Sequence, residues 1–137
     1  MLTPSDRLSI ITFNHLSKRV TPLKAMTATN KLIFTKHIDD LGANGGTCIK
    51  RGLEMAIKTI RDRSMENEAA SVFLLSDGRD GCKGTASDVA IADELDKPEN
   101  KNIGAFTIDS LGFGDDYDED VLRAIADLKD GSFLAVT

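Results

Sequence analysis

Two oxygen-bearing side chains stand where this chain could do chemistry. Asp77 closes the apolar run Val72-Phe73-Leu74-Leu75-Ser76 and is followed at once by Gly78. Thr47 follows Asn44-Gly45-Gly46 and opens the segment Cys48-Ile49-Lys50-Arg51-Gly52-Leu53. A hydroxyl and a carboxylate are hard oxygen donors of the kind that Mg²⁺ or Ca²⁺ prefers. Each also has a plainer explanation. Asp-Gly is an ordinary turn pair, and a threonine at a helix start normally accepts a backbone N–H.

The elements that would position these two residues follow from hydrophobic periodicity. An apolar run without polar alternation predicts a parallel strand covered on both faces by helices. In such sheets ligands gather beyond the carboxyl ends of the strands, which is where Asp77 would stand. Ile49, Leu53, Ala56, Ile57 and Ile60 mark one face of a helix over about Cys48 to Arg63, with Thr47 at or next to its N-cap. An earlier helix over about Ala28 to Leu41 carries Phe34, Ile38 and Leu41 at helical spacing, with Thr27 or Thr29 to cap it and Gly42 to stop it. Downstream, a short helix over Ser87 to Leu95, a strand over Gly104 to Leu111 and a helix striped by Val121, Ile125 and Leu128 complete an α/β alternation.

Taken together, these segments resemble the von Willebrand factor A domain, the integrin I-type domain. Asp6 to Asn14 is similar to that family's second strand, and Thr21-Pro22-Leu23 with Met26-Thr27 to its short edge strand and the following turn. Gly45-Gly46-Thr47 resembles its threonine loop, and Leu74-Leu75-Ser76-Asp77-Gly78 its aspartate strand. Phe106-Thr107-Ile108 with Gly112-Phe113-Gly114 resembles the fifth strand and its exit, and Ile125 to Phe133 the last helix and strand. The wording is nearer to copine-like proteins and plant RING-type ubiquitin ligases than to secreted matrix proteins. The resemblance implies a single partial domain over residues 1–137, with a three-layer helix/sheet/helix, Rossmann-like α/β fold and a mostly parallel sheet.

One departure from the family is as informative as the match. Members with an intact metal-ion-dependent adhesion site carry Asp-x-Ser-x-Ser at the end of their first strand, and no such motif occurs here. The usual first strand and first helix are lacking. With a family strand order of 3-2-1-4-5-6 and a final antiparallel edge element, the missing strand is the middle one. Leu8 to Phe13 and Ser71 to Leu75 would then each face an open edge, which invites pairing with another chain. A truncated gene product fits this arrangement, and the competing arrangement is that the two strands close up and pair with each other.

Composition bounds the function classes. The 137 residues suit one domain, and 41% hydrophobic with 28% charged residues is ordinary for a globular chain. No apolar run approaches a bilayer span, and Met1 to Arg7 lacks the pattern of a signal peptide. A net charge of −5 argues against nucleic acid, and the short basic groups Lys18-Arg19 and Arg61 to Arg63 read as solvated surface. Two cysteines, Cys48 and Cys82, make no disulfide framework or zinc spacing, so reduced thiols and a cytoplasmic location are expected. The acidic run Asp115 to Asp120 fails as a calcium loop, having Val121 and Asp127 where glycine and glutamate are required. Its carboxylates instead suit the N-terminus of the following helix. Gly78 to Gly84 reads either as a binding rim or as loose chain, and His15 and His37 as exposed or capping residues.

The function expected from the resemblance is a protein-interaction module and not an enzyme. In intact relatives a Mg²⁺ at the top of the sheet keeps an open position for an acidic side chain of the partner. Here Thr47 would be a direct ligand, and Asp77 would bind directly or through water, with weak or absent Mg²⁺ binding once the serine pair is gone. Two alternatives stand beside it. One is a metal-assisted phosphoryl-transfer enzyme using Asp77, for which no Asp-x-Asp partner and no lysine after the fifth strand are present. The other is a fragment without autonomous function.

Overall fold

In the computed structural model, which describes residues 1–137, the apolar run becomes β5 (Ser71–Ser76). It pairs in parallel with β6 (Thr107–Phe113), and β6 in parallel with β7 (Phe133–Val136), giving the order β5-β6-β7. Register runs from Ser71 opposite Thr107 to Ser76 opposite Gly112. The segment expected as one second strand is split into β1 (Arg7–Leu8) and β2 (Ile11–Phe13). Antiparallel pairing joins β1 to β4 (Lys24–Ala25) and β2 to β3 (Ser17–Arg19). Antiparallel pairing is thus confined to these two N-terminal pairs, while the last strand, β7, runs parallel rather than as the antiparallel edge expected. No pairing joins β2 to β5: the two do not close up, and an edge of each is left open.

Four helices surround these strands: α1 (Ala28–Asp39), α2 (Ile49–Arg61), α3 (Ser87–Asp96) and α4 (Glu119–Leu128). The core forms where α2, α3 and α4 meet β5 and β6. Ile49, Leu53 and Ile57 of α2 pack in one cluster with Leu74, Ile91, Ile108, Leu122 and Ile125. Each fully buried aliphatic side chain of this size contributes about 1.5–3 kcal/mol. Glycines set the close approaches. A Cβ on Gly52 would lie 2.6 Å from the Phe13 ring, so the absence of a side chain lets α2 sit against β2. A Cβ on Gly131 would lie 1.7 Å from the Ile108 carbonyl oxygen, which is how the turn after α4 clears β6 and returns the chain into β7.

Helical coverage of the sheet is less complete than the apolar pattern predicts. Along β5 the side chains alternate, with Leu74 and Ser76 buried but Phe73 66% and Leu75 53% exposed. The run is unbroken in hydrophobicity, yet only the face toward α2 and α3 is covered. In α1 only Phe34 is buried, while Ile38 and Leu41, predicted to share its stripe, are exposed. Arg63 is a second correction, since its side chain is 5% exposed rather than solvated and donates to the Ile103 carbonyl at 3.0 Å. No helix is long and apolar enough to cross a membrane.

Candidate functional site at the carboxyl end of β5

Thr47 and Asp77 come together at one rim. A Cβ on Gly78 would lie 2.9 Å from Thr47 Oγ1, so the residue after Asp77 packs directly over the threonine hydroxyl. Both residues line an open cleft of about 890 Å³, together with Asn14, His15 and Asn44. Asp77 is exposed and Thr47 half-buried. His15 is exposed at the same rim, and His37 is exposed on α1.

The start of α2 is built differently from the threonine cap expected. Cys48 is the N-cap and its side chain makes no capping bond. The free N–H groups of the first turn are satisfied from outside: Ile49 N donates to Asp80 Oδ1 at 3.2 Å and Lys50 N to Ser87 Oγ at 2.9 Å. Ser87 N in turn donates to Asp80 Oδ2 at 3.3 Å, so one carboxylate serves the first turns of both α2 and α3. Two helix dipoles converge on it, and both favour negative charge there. Thr47 is thereby left free of capping duty. Its carbonyl accepts from Gly81 N at 2.7 Å, which holds the rim loop down.

The glycine-dense loop after Asp77 is therefore a built rim. It is closed covalently by a disulfide between Cys48 and Cys82, whose Cα atoms lie 4.6 Å apart, in place of the reduced thiols expected. The sequence separation of 34 carries no pairing signal, and only the fold back of Gly81 onto Thr47 brings the sulfurs together. The acidic run contributes to the same rim. Arg79 Nε pairs with Asp116 at 2.8 Å, and Asp118 Oδ2 accepts from Asp80 N at 2.7 Å. The hydrogen bond that Arg79 donates to Asp116, then the charges of Asp116 and Asp118, hold the Arg79 guanidinium above its ordinary pKa. Because the shift is upward, the guanidinium's side of this pairing is lost only in strong alkali. Asp118 is the N-cap of α4 without a side-chain cap bond, its carboxylate being engaged across the rim.

The donor set does not fit a resident Mg²⁺. That ion requires near-octahedral oxygen coordination, and no group of three or more His, Cys, Asp or Glu side chains stands close enough to hold a metal. Ser76 Oγ donates to the Gly78 carbonyl at 3.2 Å, and both Asp80 oxygens are taken by helix N–H groups. Asp77 is the one carboxylate lining the cleft, with the Thr47 hydroxyl at the same rim.

Residues 1–79 match the von Willebrand factor type A domain. The chain belongs to the von Willebrand factor type A family. A von Willebrand factor type A protein from Catenulispora acidiphila superposes with a TM-score of 0.82 over 99% of this chain and 31% of that one, at 24% identity. Among curated relatives, an uncharacterized protein of Synechocystis sp. is 35% identical over 96% of this chain and 29% of its own length. A probable E3 ubiquitin-protein ligase of Arabidopsis thaliana, WAVH2, is 38% identical over 58% of this chain and 12% of its own. The chain thus spans less than a third of either relative. Proximal thread matrix protein 1 from the mussel byssus, described with zinc in its metal-ion-dependent adhesion site, shares the fold at a TM-score of 0.64 and 21% identity. Type A domains generally act in protein interaction and adhesion, commonly with a metal ion.

Proposed function

We propose that this type A domain is a protein-interaction module that engages its partner at the rim formed by Thr47 and Asp77. The observation that carries this is the packing of the Thr47 hydroxyl over Gly78, which sets the hydroxyl and the exposed Asp77 carboxylate on the wall of one cleft. A fixed rim of this kind suits recognition, because the disulfide and the shared Asp80 cap hold its loop before a partner arrives. Recognition of an acidic partner side chain through Mg²⁺ needs more acidic ligands than Asp77, the one carboxylate lining the cleft, so this chain by itself binds the ion weakly or not at all. The plant relative's printed name makes ubiquitin-ligase machinery one setting for such a module. Phosphoryl transfer at Asp77 draws no support from the site, where Asp77 is the one carboxylate lining the cleft. Cystines are rare in the cytosol, so Cys48–Cys82 weighs against a cytoplasmic setting and favours an oxidising one.

A photo-crosslinking amino acid placed at Asn44, on the rim cleft, tests the reading against the same probe at Asp88 on α3. The module predicts one discrete, saturable adduct from Asn44 that Asp77→Ala suppresses. Equal labelling from both positions would overturn the rim assignment.

A further inference from the structure

We infer that the Cys48–Cys82 bond is a reversible clasp, opened by a dithiol that attacks Cys82, and that opening frees residues 82–85 while the rim and the core stay in place. This inference does not rest on the function of the rim. The two sulfurs differ in access. Cys48 is 6% exposed at the start of α2, whereas Cys82 is half-buried on a loop between the exposed Gly81 and Lys83. Thiol–disulfide exchange begins when a thiolate reaches one sulfur of the pair, so the more accessible sulfur is the one attacked.

What else ties down the neighbouring chain decides what opening does. Residues 79–81 are held without the bond: Gly81 N donates to the Thr47 carbonyl at 2.7 Å, Asp80 accepts from Ile49 N and Ser87 N, and Arg79 pairs with Asp116. Residues 82–85 are not. No backbone N–H or C=O among them pairs with another backbone group. Apart from the disulfide, they are tied by Lys50 Nζ, which donates to the Lys83 carbonyl at 3.2 Å, and by Ser87 Oγ, 3.4 Å from Cys82 Sγ. Neither cysteine belongs to the buried cluster that packs Ile49 of α2 with Ile91 of α3, so the two helices stay together when the bond is cut.

The exchange balances. A thiolate of the dithiol bonds to Cys82 Sγ as the Cys48–Cys82 bond breaks, and the electron pair leaves on Cys48 Sγ, which takes up a proton. The second thiol of the reagent then displaces Cys82 and closes the reagent's own disulfide. The chain gains two electrons and two protons, and the dithiol loses the same. An oxidised dithiol runs these steps in reverse, so the clasp is closed in oxidising surroundings and open in reducing ones.

The test treats the folded full chain with glutathione, whose single thiol leaves a mixed disulfide that can be trapped, and separately with dithiothreitol, which completes the reduction. After quenching with iodoacetamide in urea, the glutathione adduct is expected on Cys82, in tryptic peptide 80–83, and the alkyl group on Cys48, in peptide 37–50. In dithiothreitol, trypsin should cut the native protein after Lys83 about tenfold or more faster, because the freed segment enters the protease without a bond to hold it. Cleavage after Lys101, which is exposed but outside the clasp, should keep its rate. The Cys48→Ser, Cys82→Ser double variant should be cut after Lys83 at the faster rate with or without dithiol. An adduct on Cys48 would overturn attack at Cys82. Equal acceleration after Lys83 and Lys101 would mean that cutting the bond unfolds the domain, and a bond that resists dithiothreitol until urea is added would be a fixed brace; either result contradicts the clasp.

Discussion

At the scale of single residues, the rim depends on side chains that are far apart in sequence. Asp80 accepts from both Ile49 N and Ser87 N, so Asp80→Ala would orphan donors on two helices at once. The expected loss is about 1–2 kcal/mol, the usual worth of a helix cap, read as a lower urea midpoint with unchanged m-value. The Cys48–Cys82 bond is the second residue-scale feature. Reduction, or a Cys48→Ser and Cys82→Ser double variant, should cost about 2–4 kcal/mol, and thiol titration of the unreduced protein should find no free sulfhydryl. Two reactive thiols in the untreated protein would contradict the cystine.

The same residues show where the sequence is legible and where it is not. Thr47 and Asp77 were readable because each sits at the edge of an element whose periodicity is local, a helix after glycines and a strand before one. Asp80, Ser87, Cys82 and Asp118 were not, since what they do is set by contacts across 31 to 38 positions. No local pattern encodes such contacts. The acidic run is a case in between: its crowding at the start of α4 was predictable, but its pairing with Arg79 needed the loop's path.

At the scale of elements, glycines decide how closely neighbours approach. In Gly52→Ala the new methyl would meet the Phe13 ring at 2.6 Å and push β2 from α2. An overpacked contact of this kind costs about 1–3 kcal/mol. Gly131→Ala is the harsher change, because the methyl would lie 1.7 Å from a backbone oxygen of β6 that no side-chain rotation can move. A loss of about 3 kcal/mol or more is expected, with faster amide exchange in β7 and at the end of α4. A Gly131→Ala protein as stable as the parent would refute the placement of β7. Helix bounds and the parallel β5 to β6 pairing follow closely from periodicity. Exposure of Phe73 and Leu75 does not, because hydrophobicity signals that a face can be covered and not that a covering element is present.

At the scale of the whole molecule, the chain is a von Willebrand type A fold with an open cleft where β2 and β5 stand apart. Two consequences meet there. The cleft exposes apolar surface and strand edges, and the rim beside it carries a single carboxylate, Asp77, with the Thr47 hydroxyl. The sheet thus keeps the position of a family binding edge without the donors that would saturate a metal.

The most direct measurement of this central claim is calorimetric titration of MgCl₂ into the purified 137-residue chain. The account predicts no saturable heat through the millimolar range, and the same trace for Asp77→Ala. Saturable binding at millimolar or lower Mg²⁺ that disappears in Asp77→Ala would contradict it, by showing that this rim completes a metal shell on its own.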